Sequence, residues 1–118
     1  ALLKDKRDFV YIHVEAPDEM GHQGNTMHKV KAIEEIDEKI LTVVKKALDD
    51  AGEAYRILVL PDHPTPICIR THTSEPVPYI LFDSTCVKNQ KIAFSEKTAA
   101  QSGIYQPDGY RLLDELIQ

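Results

Sequence analysis

The stretch Phe9-Val10-Tyr11-Ile12-His13-Val14 decides the predicted fold, because its β-branched and aromatic residues form a nearly continuous apolar run. Such a run is typical of a strand that is covered on both faces in a parallel sheet. A second run, Ile57-Leu58-Val59-Leu60, predicts another buried strand. Between the two runs, apolar residues recur at helical spacing from about Thr26 to Asp50, and Gly52 is placed to end that helix. The order strand, helix, strand predicts a βαβ unit with a right-handed crossover and parallel strands.

The remainder of the chain predicts shorter elements. Asn25 or Thr26 is placed to cap the long helix, and residues 79–82 predict another strand. Residues 95–100 predict a short helix capped by Ser95, and residues 110–117 predict a terminal helix with four apolar side chains toward the core. No repeat or linker interrupts the 118 residues, so we expect a single domain.

Composition excludes several classes of partner. The net charge of -5 provides no basic surface for a nucleic acid backbone or an anionic membrane. The apolar runs are too short to cross a bilayer, and no signal pattern precedes them, so we expect a cytoplasmic protein. Cys68 and Cys86 form no Cys-x-x-Cys pair, which argues against a zinc knuckle, and we expect both as buried, reduced thiols.

Five side chains with metal-binding chemistry follow the predicted strands. Asp18 and His22 come after the first strand, Asp62 and His63 come directly after the second, and His72 lies in the next loop. Parallel strands joined by a crossover end at the same sheet edge, so we expect the first two loops to lie side by side. Carboxylate oxygen with imidazole nitrogen suits zinc, manganese or iron(II). Five ligands exceed the need of one ion, so a two-metal site for phosphoryl transfer is predicted.

Each piece alone has an ordinary structural explanation. An aspartate near a glycine before a helix is usually a turn or cap residue, and a lone loop histidine commonly serves packing. The combination therefore carries the prediction. His13, inside the first predicted strand, and His28, in the first turn of the long helix, are interpreted as structural residues.

Three ordered motifs resemble a known family. They are His13-Val14-Glu15-Ala16-Pro17-Asp18-Glu19-Met20-Gly21-His22-Gln23-Gly24-Asn25, Leu60-Pro61-Asp62-His63-Pro64-Thr65-Pro66 and Arg70-Thr71-His72-Thr73-Ser74-Glu75-Pro76-Val77-Pro78. Together they resemble the cofactor-independent phosphoglycerate mutases of the archaeal-type branch, within the alkaline phosphatase superfamily. The resemblance runs along nearly the whole chain and implies its C-terminal portion, an incomplete part of a three-layer α/β sandwich with a mostly parallel sheet.

The resemblance also implies roles for the five ligands. Asp18, His22 and His72 would hold one divalent ion, Asp62 and His63 would hold the other, and both ions would be Mn²⁺ or Zn²⁺. The substrate would be a phosphoglycerate, with 3-phosphoglycerate and 2-phosphoglycerate interconverted through a phosphorylated serine and without a bisphosphate cofactor.

That serine is expected upstream, in the rest of a parent chain. Thr65, Thr71, Thr73 and Ser74 lie near the ligands, but none occupies the nucleophile position of the family. We therefore expect the 118-residue chain alone to be catalytically silent and to bind metal weakly. Two other interpretations stay open: a phosphatase or homoserine kinase-like phosphotransferase that uses the same two-metal site, and a non-catalytic metal-binding α/β module.

Overall fold

The computed structural model describes residues 1–86 and 91–118, which fall into two compact units. The first unit comprises Ala1–Glu53 and Thr65–Thr73, and the second comprises Ala54–Pro64 and Ser74–Gln118. Each unit contains one buried hydrophobic core residue among the described residues, Leu48 in the first and Leu112 in the second. No helix in these ranges is long and apolar enough to cross a membrane.

The first unit is helical. Its elements are α1 (Leu2–Asp5), α2 (Ala16–Gln23), α3 (Thr26–Glu35), a π-helical segment (Ile36–Leu41) and α4 (Thr42–Ala51). Asn25 caps α3, because its side chain accepts a hydrogen bond from the backbone N–H of His28 at 3.1 Å. At the end of α4, Gly52 adopts a left-handed conformation with φ of 70°, which a glycine reaches without steric cost. The predicted long helix, with its cap and its stop, is confirmed.

The second unit contains the sheet. Strand β1 (Arg56–Val59) pairs antiparallel with β2 (Ile80–Asp83), in a register that places Arg56 opposite Asp83 and Leu58 opposite Leu81. Helix α5 (Glu96–Gln101) begins with a reciprocal cap between Ser95 and Thr98, and α6 (Arg111–Ile117) follows it. These elements lie where the sequence predicts them, within one or two residues.

The predicted parallel sheet is not formed by the described residues. Residues 9–14 have no regular secondary structure, and the described sheet is two-stranded and antiparallel. The physical reason is that a strand needs a neighbouring backbone to complete its hydrogen bonds, which an apolar sequence cannot supply by itself. Phe9, Val10, Tyr11 and Ile12 are correspondingly exposed.

Three smaller expectations also need correction. Asp18 and His22 lie on helix α2 rather than in a loop. Both cysteines are free but exposed rather than buried. In α6 only Leu112 is buried, whereas Leu113 and Ile117 are exposed, so the apolar face of this helix is mostly uncovered in this unit.

Candidate metal centre

Helix α2 places the first two candidate ligands on one face. Asp18 and His22 are four residues apart, so their side chains lie one above the other on a helix. The nearest atoms, Oδ2 of Asp18 and Nε2 of His22, are 3.3 Å apart. The helix ends at Gly24, whose φ of 68° allows the N–H of Gly24 to donate to the Gly21 carbonyl and that of Asn25 to the Met20 carbonyl.

A turn in the same unit places the third ligand. The N–H groups of Ile69 and Arg70 both donate to the Pro66 carbonyl, and Arg70 adopts a left-handed conformation with φ of 54°. This turn directs the chain toward α2, so that Nε2 of His72 lies 3.2 Å from Oδ1 of Asp18 and 3.1 Å from Nε2 of His22. Asp18, His22 and His72 therefore form a cluster whose ligand atoms all lie within 4.8 Å of one another.

A hydrogen bond sets the orientation of the His22 ring. Its Nδ1 donates to the Arg70 carbonyl at 2.9 Å. A neutral imidazole that carries its proton on Nδ1 has a lone pair on Nε2, and histidines that bind metals are commonly oriented by a hydrogen bond of this kind. The Nε2 atom of His22 is therefore available as a ligand, and it faces the other two side chains.

The donor set fits a divalent ion. Two imidazole nitrogens and one carboxylate oxygen suit zinc, manganese or iron(II). Ligand bonds of about 2.0–2.2 Å give distances between neighbouring ligand atoms of about 2.8–3.6 Å, from octahedral to tetrahedral geometry. The two Nε2 atoms are 3.1 Å apart, Oδ1 of Asp18 is 3.2 Å from that of His72, and Oδ2 of Asp18 is 3.3 Å from that of His22, so each of these distances lies in that range. The side chains are between one third and one half exposed, so an ion has access from solvent.

The other two predicted ligands lie in the second unit. Asp62 and His63 follow β1, as predicted, and they contact each other: Nε2 of His63 is 3.4 Å from Oδ2 of Asp62. The backbone N–H of His63 also donates to Oδ1 of Asp62 at 3.1 Å. The three-ligand cluster among the described residues does not include this pair. The structure thus brings together three of the five predicted residues.

Sequence reasoning did not assign the residues that support the cluster. Thr65 is buried, and its hydroxyl donates to Oδ1 of Asp18 at 2.5 Å. Lys29 donates from Nζ to the Thr65 carbonyl at 2.6 Å. Gly21 packs against this carbonyl and has no space for a Cβ atom. Gly21 and Thr65 lie within two of the quoted motifs, whereas Lys29 lies outside all three, and no local signal in the sequence marks any of them as a support for the ligands.

Comparison with known proteins identifies the superfamily to which the chain belongs. The sequence model of the metalloenzyme superfamily matches residues 1–104 of this chain, a range that includes all five candidate ligands. The chain belongs to this superfamily, whose members bind divalent metals. No solved structure matches the chain.

Individual relatives within the superfamily are similar to this chain over most of its length. The chain is 43% identical over 114 residues to a probable 2,3-bisphosphoglycerate-independent phosphoglycerate mutase of Geobacter sulfurreducens. It is 44% identical over 110 and 113 residues to 2,3-bisphosphoglycerate-independent phosphoglycerate mutases of Methanothrix thermoacetophila and Methanothermobacter thermautotrophicus. These alignments cover 93–96% of this chain but 28% of each relative. The chain therefore spans little more than a quarter of the length of these relatives.

Proposed function

We propose that this chain is part of a metal-dependent phosphoglycerate mutase that interconverts 3-phosphoglycerate and 2-phosphoglycerate through a phosphoserine intermediate. One observation carries the proposal: the similarity to three phosphoglycerate mutases extends over at least 93% of the chain and includes the cluster of Asp18, His22 and His72. The nucleophilic serine is not assigned to any residue of this chain. Phosphoglycerate is the proposed substrate, and the cytoplasm is the proposed location.

The metal site is part of the same proposal. Asp18, His22 and His72 hold one ion, and Asp62 with His63 holds a second, with Mn²⁺ or Zn²⁺ as the proposed ions. A pair of divalent ions supplies charge neutralisation for a transferring phosphoryl group. The residues of this chain contribute fixed positions for the ligand atoms, because the Arg70 carbonyl orients the His22 ring and α2 fixes the spacing of Asp18 and His22.

We also propose a structural role for the exposed apolar segment at residues 9–14. In the complete protein, residues 9–14 form a strand of a mostly parallel sheet within a three-layer, alkaline phosphatase-like sandwich, and residues 1–118 form an incomplete part of that single domain. The exposure of Phe9, Tyr11 and Ile12 supports this, because burial of such side chains on both faces of a sheet is favourable.

An assay of the protein expressed from its complete reading frame tests the function. With Mn²⁺ present, we expect conversion of 3-phosphoglycerate to 2-phosphoglycerate without added bisphosphoglycerate, and we expect the 118-residue chain alone to show none. Turnover of homoserine with ATP, or hydrolysis of phosphate esters without mutase activity, would instead support the related phosphotransferase or phosphatase. Absence of any activity with intact Mn²⁺ binding would favour a non-catalytic metal-binding module.

A further inference from the structure

Thr65 is the buried polar residue next to the candidate metal ligands. Its side chain and backbone are 5% exposed, and its hydroxyl donates to Oδ1 of Asp18 at 2.5 Å. The two residues are 47 positions apart in sequence, so this hydrogen bond joins the turn that carries His72 to helix α2. This buried hydroxyl therefore donates its hydrogen bond to a ligand carboxylate rather than to solvent.

The hydrogen bond determines which oxygen of Asp18 faces which histidine. Oδ1 accepts the hydrogen bond from the Thr65 hydroxyl and lies 3.2 Å from Nε2 of His72, whereas Oδ2 lies 3.3 Å from Nε2 of His22. The terminal torsion of an aspartate is broad, so an unrestrained carboxylate samples many orientations. A bond from Thr65 restricts that torsion to the orientation in which both oxygens face the cluster.

Thr65 is itself held from a second side. Nζ of Lys29 donates to the Thr65 carbonyl at 2.6 Å. A Cβ atom on Gly21 would lie 2.7 Å from the same carbonyl oxygen and 2.9 Å from Cγ2 of Thr65, which shows how closely α2 approaches this residue. The hydroxyl therefore has a fixed position relative to the helix that carries Asp18 and His22.

We propose that Thr65 is a positioning residue for the metal site, which acts by holding the Asp18 carboxylate in its ligating orientation. The inference rests on the proposed function, because it assumes that the cluster binds a divalent ion. Thr65 acts through Asp18 and requires no contact of its own with the ion. Loss of a residue that orients a metal ligand commonly weakens metal affinity by about 10–100-fold, and we expect a loss of this size.

The test measures Mn²⁺ affinity directly. Metal-free protein from the complete reading frame is titrated with Mn²⁺, and the free ion is followed by electron paramagnetic resonance. Thr65→Val removes the hydroxyl and keeps the shape, Thr65→Ser keeps the hydroxyl, and Thr71→Val makes the same change at an exposed threonine next to His72. We expect Thr65→Val to raise the Kd of one Mn²⁺ by about 10–100-fold. Affinities of Thr65→Ser and Thr71→Val should stay close to wild type.

A second readout separates positioning from a purely structural role. The thermal midpoint of each metal-free variant is measured by circular dichroism. If Thr65→Val lowers the midpoint but leaves Mn²⁺ affinity unchanged, or if Thr65→Ser binds as weakly as Thr65→Val, the inference is overturned. If Thr65→Val does not fold, Thr65→Ala and Thr65→Ser isolate the hydroxyl instead, and equal affinities of these two variants overturn it.

The same titration distinguishes this inference from the proposed function. A wild-type protein that binds no Mn²⁺ contradicts the proposed metal site and the role of Thr65 together. A wild-type protein that binds Mn²⁺ as tightly as Thr65→Val contradicts only the role of Thr65, and the proposed function is unaffected.

Discussion

Nε2 of His22 and Nε2 of His72 lie 3.1 Å apart. Because Nδ1 of His22 donates its hydrogen to the Arg70 carbonyl, the neutral His22 ring has a lone pair on Nε2, which faces His72. Two nitrogen atoms facing each other at this distance require a proton or a cation between them. The carboxylate of Asp18, which contacts both rings, adds a negative charge to the same space. A divalent ion satisfies all three groups at once, so each of them should matter for its binding.

Removal of one imidazole should therefore weaken metal binding strongly. We expect His72→Ala to raise the Kd of one Mn²⁺ by at least about 100-fold, since loss of a ligand should cost more than loss of a group that orients one. The measurement is calorimetric titration of the protein from the complete reading frame, after removal of bound metal with a chelator. His28→Ala is the matched control, because His28 is exposed on α3 and lies outside the cluster. Equal affinity of the two variants would contradict the ligand assignment.

The close contact at Gly21 predicts that even a methyl side chain at this position lowers the stability of the protein. A Cβ atom there would lie 2.7 Å from the Thr65 carbonyl oxygen and 2.8 Å from Nζ of Lys29. We expect Gly21→Ala to lower the free energy of unfolding by about 1–3 kcal/mol, as is common when a packed site is overfilled. It should also weaken Mn²⁺ binding, because Thr65 must move away from Asp18.

Gly109 offers the control for this substitution. A Cβ atom on Gly109 meets no other atom within 4 Å. Both variants are compared with wild type by urea unfolding, in which Gly109→Ala should change the unfolding free energy by less than about 0.5 kcal/mol. If Gly21→Ala is as stable as Gly109→Ala, the packing of α2 against Thr65 is not as tight as the structure indicates.

Acid stability should depend on Asp83, the residue opposite Arg56 in the sheet. Hydrogen bonds from the Thr85 hydroxyl at 2.6 Å and from Nε of Arg56 at 2.7 Å lower the pKa of Asp83 from 3.8 to about 2. A carboxyl whose pKa is lower in the folded state contributes stability above its unfolded pKa and loses it as the pH falls through the folded pKa. The contribution is therefore complete above about pH 4 and lost near pH 2.

The measurement compares wild type with Asp83→Asn in urea at neutral pH and near pH 2. We expect the variant to be less stable at neutral pH, and we expect the difference to shrink at low pH, where wild-type Asp83 is protonated. Arg56→Met removes one of the partners and should show part of the same dependence on pH. A difference between wild type and Asp83→Asn that does not change with pH would contradict the role of the charge.

Local signals in the sequence predicted the elements that depend on local interactions. The spacing of apolar residues, the cap at Asn25 and the stop at Gly52 all concern atoms within a few residues of each other, and each agrees with the structure. Helix α2 was missed because Gly21 and Pro17 suggested a loop. Pro17 in the first turn is instead a common helix-start signal.

Local sequence signals do not predict contacts between residues that are far apart in the chain. A strand at residues 9–14 depends on a partner, and the hydrophobic run alone does not identify one. Likewise, the hydrogen bond between Thr65 and Asp18 joins residues 47 positions apart, and no pattern within either motif indicates it. The grouping of Asp18 with His72 was expected from the resemblance to a family, which carries information about distant contacts that local spacing lacks.

Thr73 gives a final test, because its hydroxyl is buried without a hydrogen-bond partner among residues 1–86 and 91–118. An unsatisfied buried hydroxyl costs about 1–3 kcal/mol, and an apolar replacement of the same shape removes this cost. We therefore expect Thr73→Val to leave the stability of the 118-residue chain unchanged or to raise it, as measured by urea unfolding. Thr65→Val, which removes a satisfied hydroxyl, should lower it. If the complete protein supplies a hydrogen-bond partner for Thr73, Thr73→Val should destabilise that protein but not the 118-residue chain. A loss of stability in the 118-residue chain itself would contradict the buried, unsatisfied state of this hydroxyl.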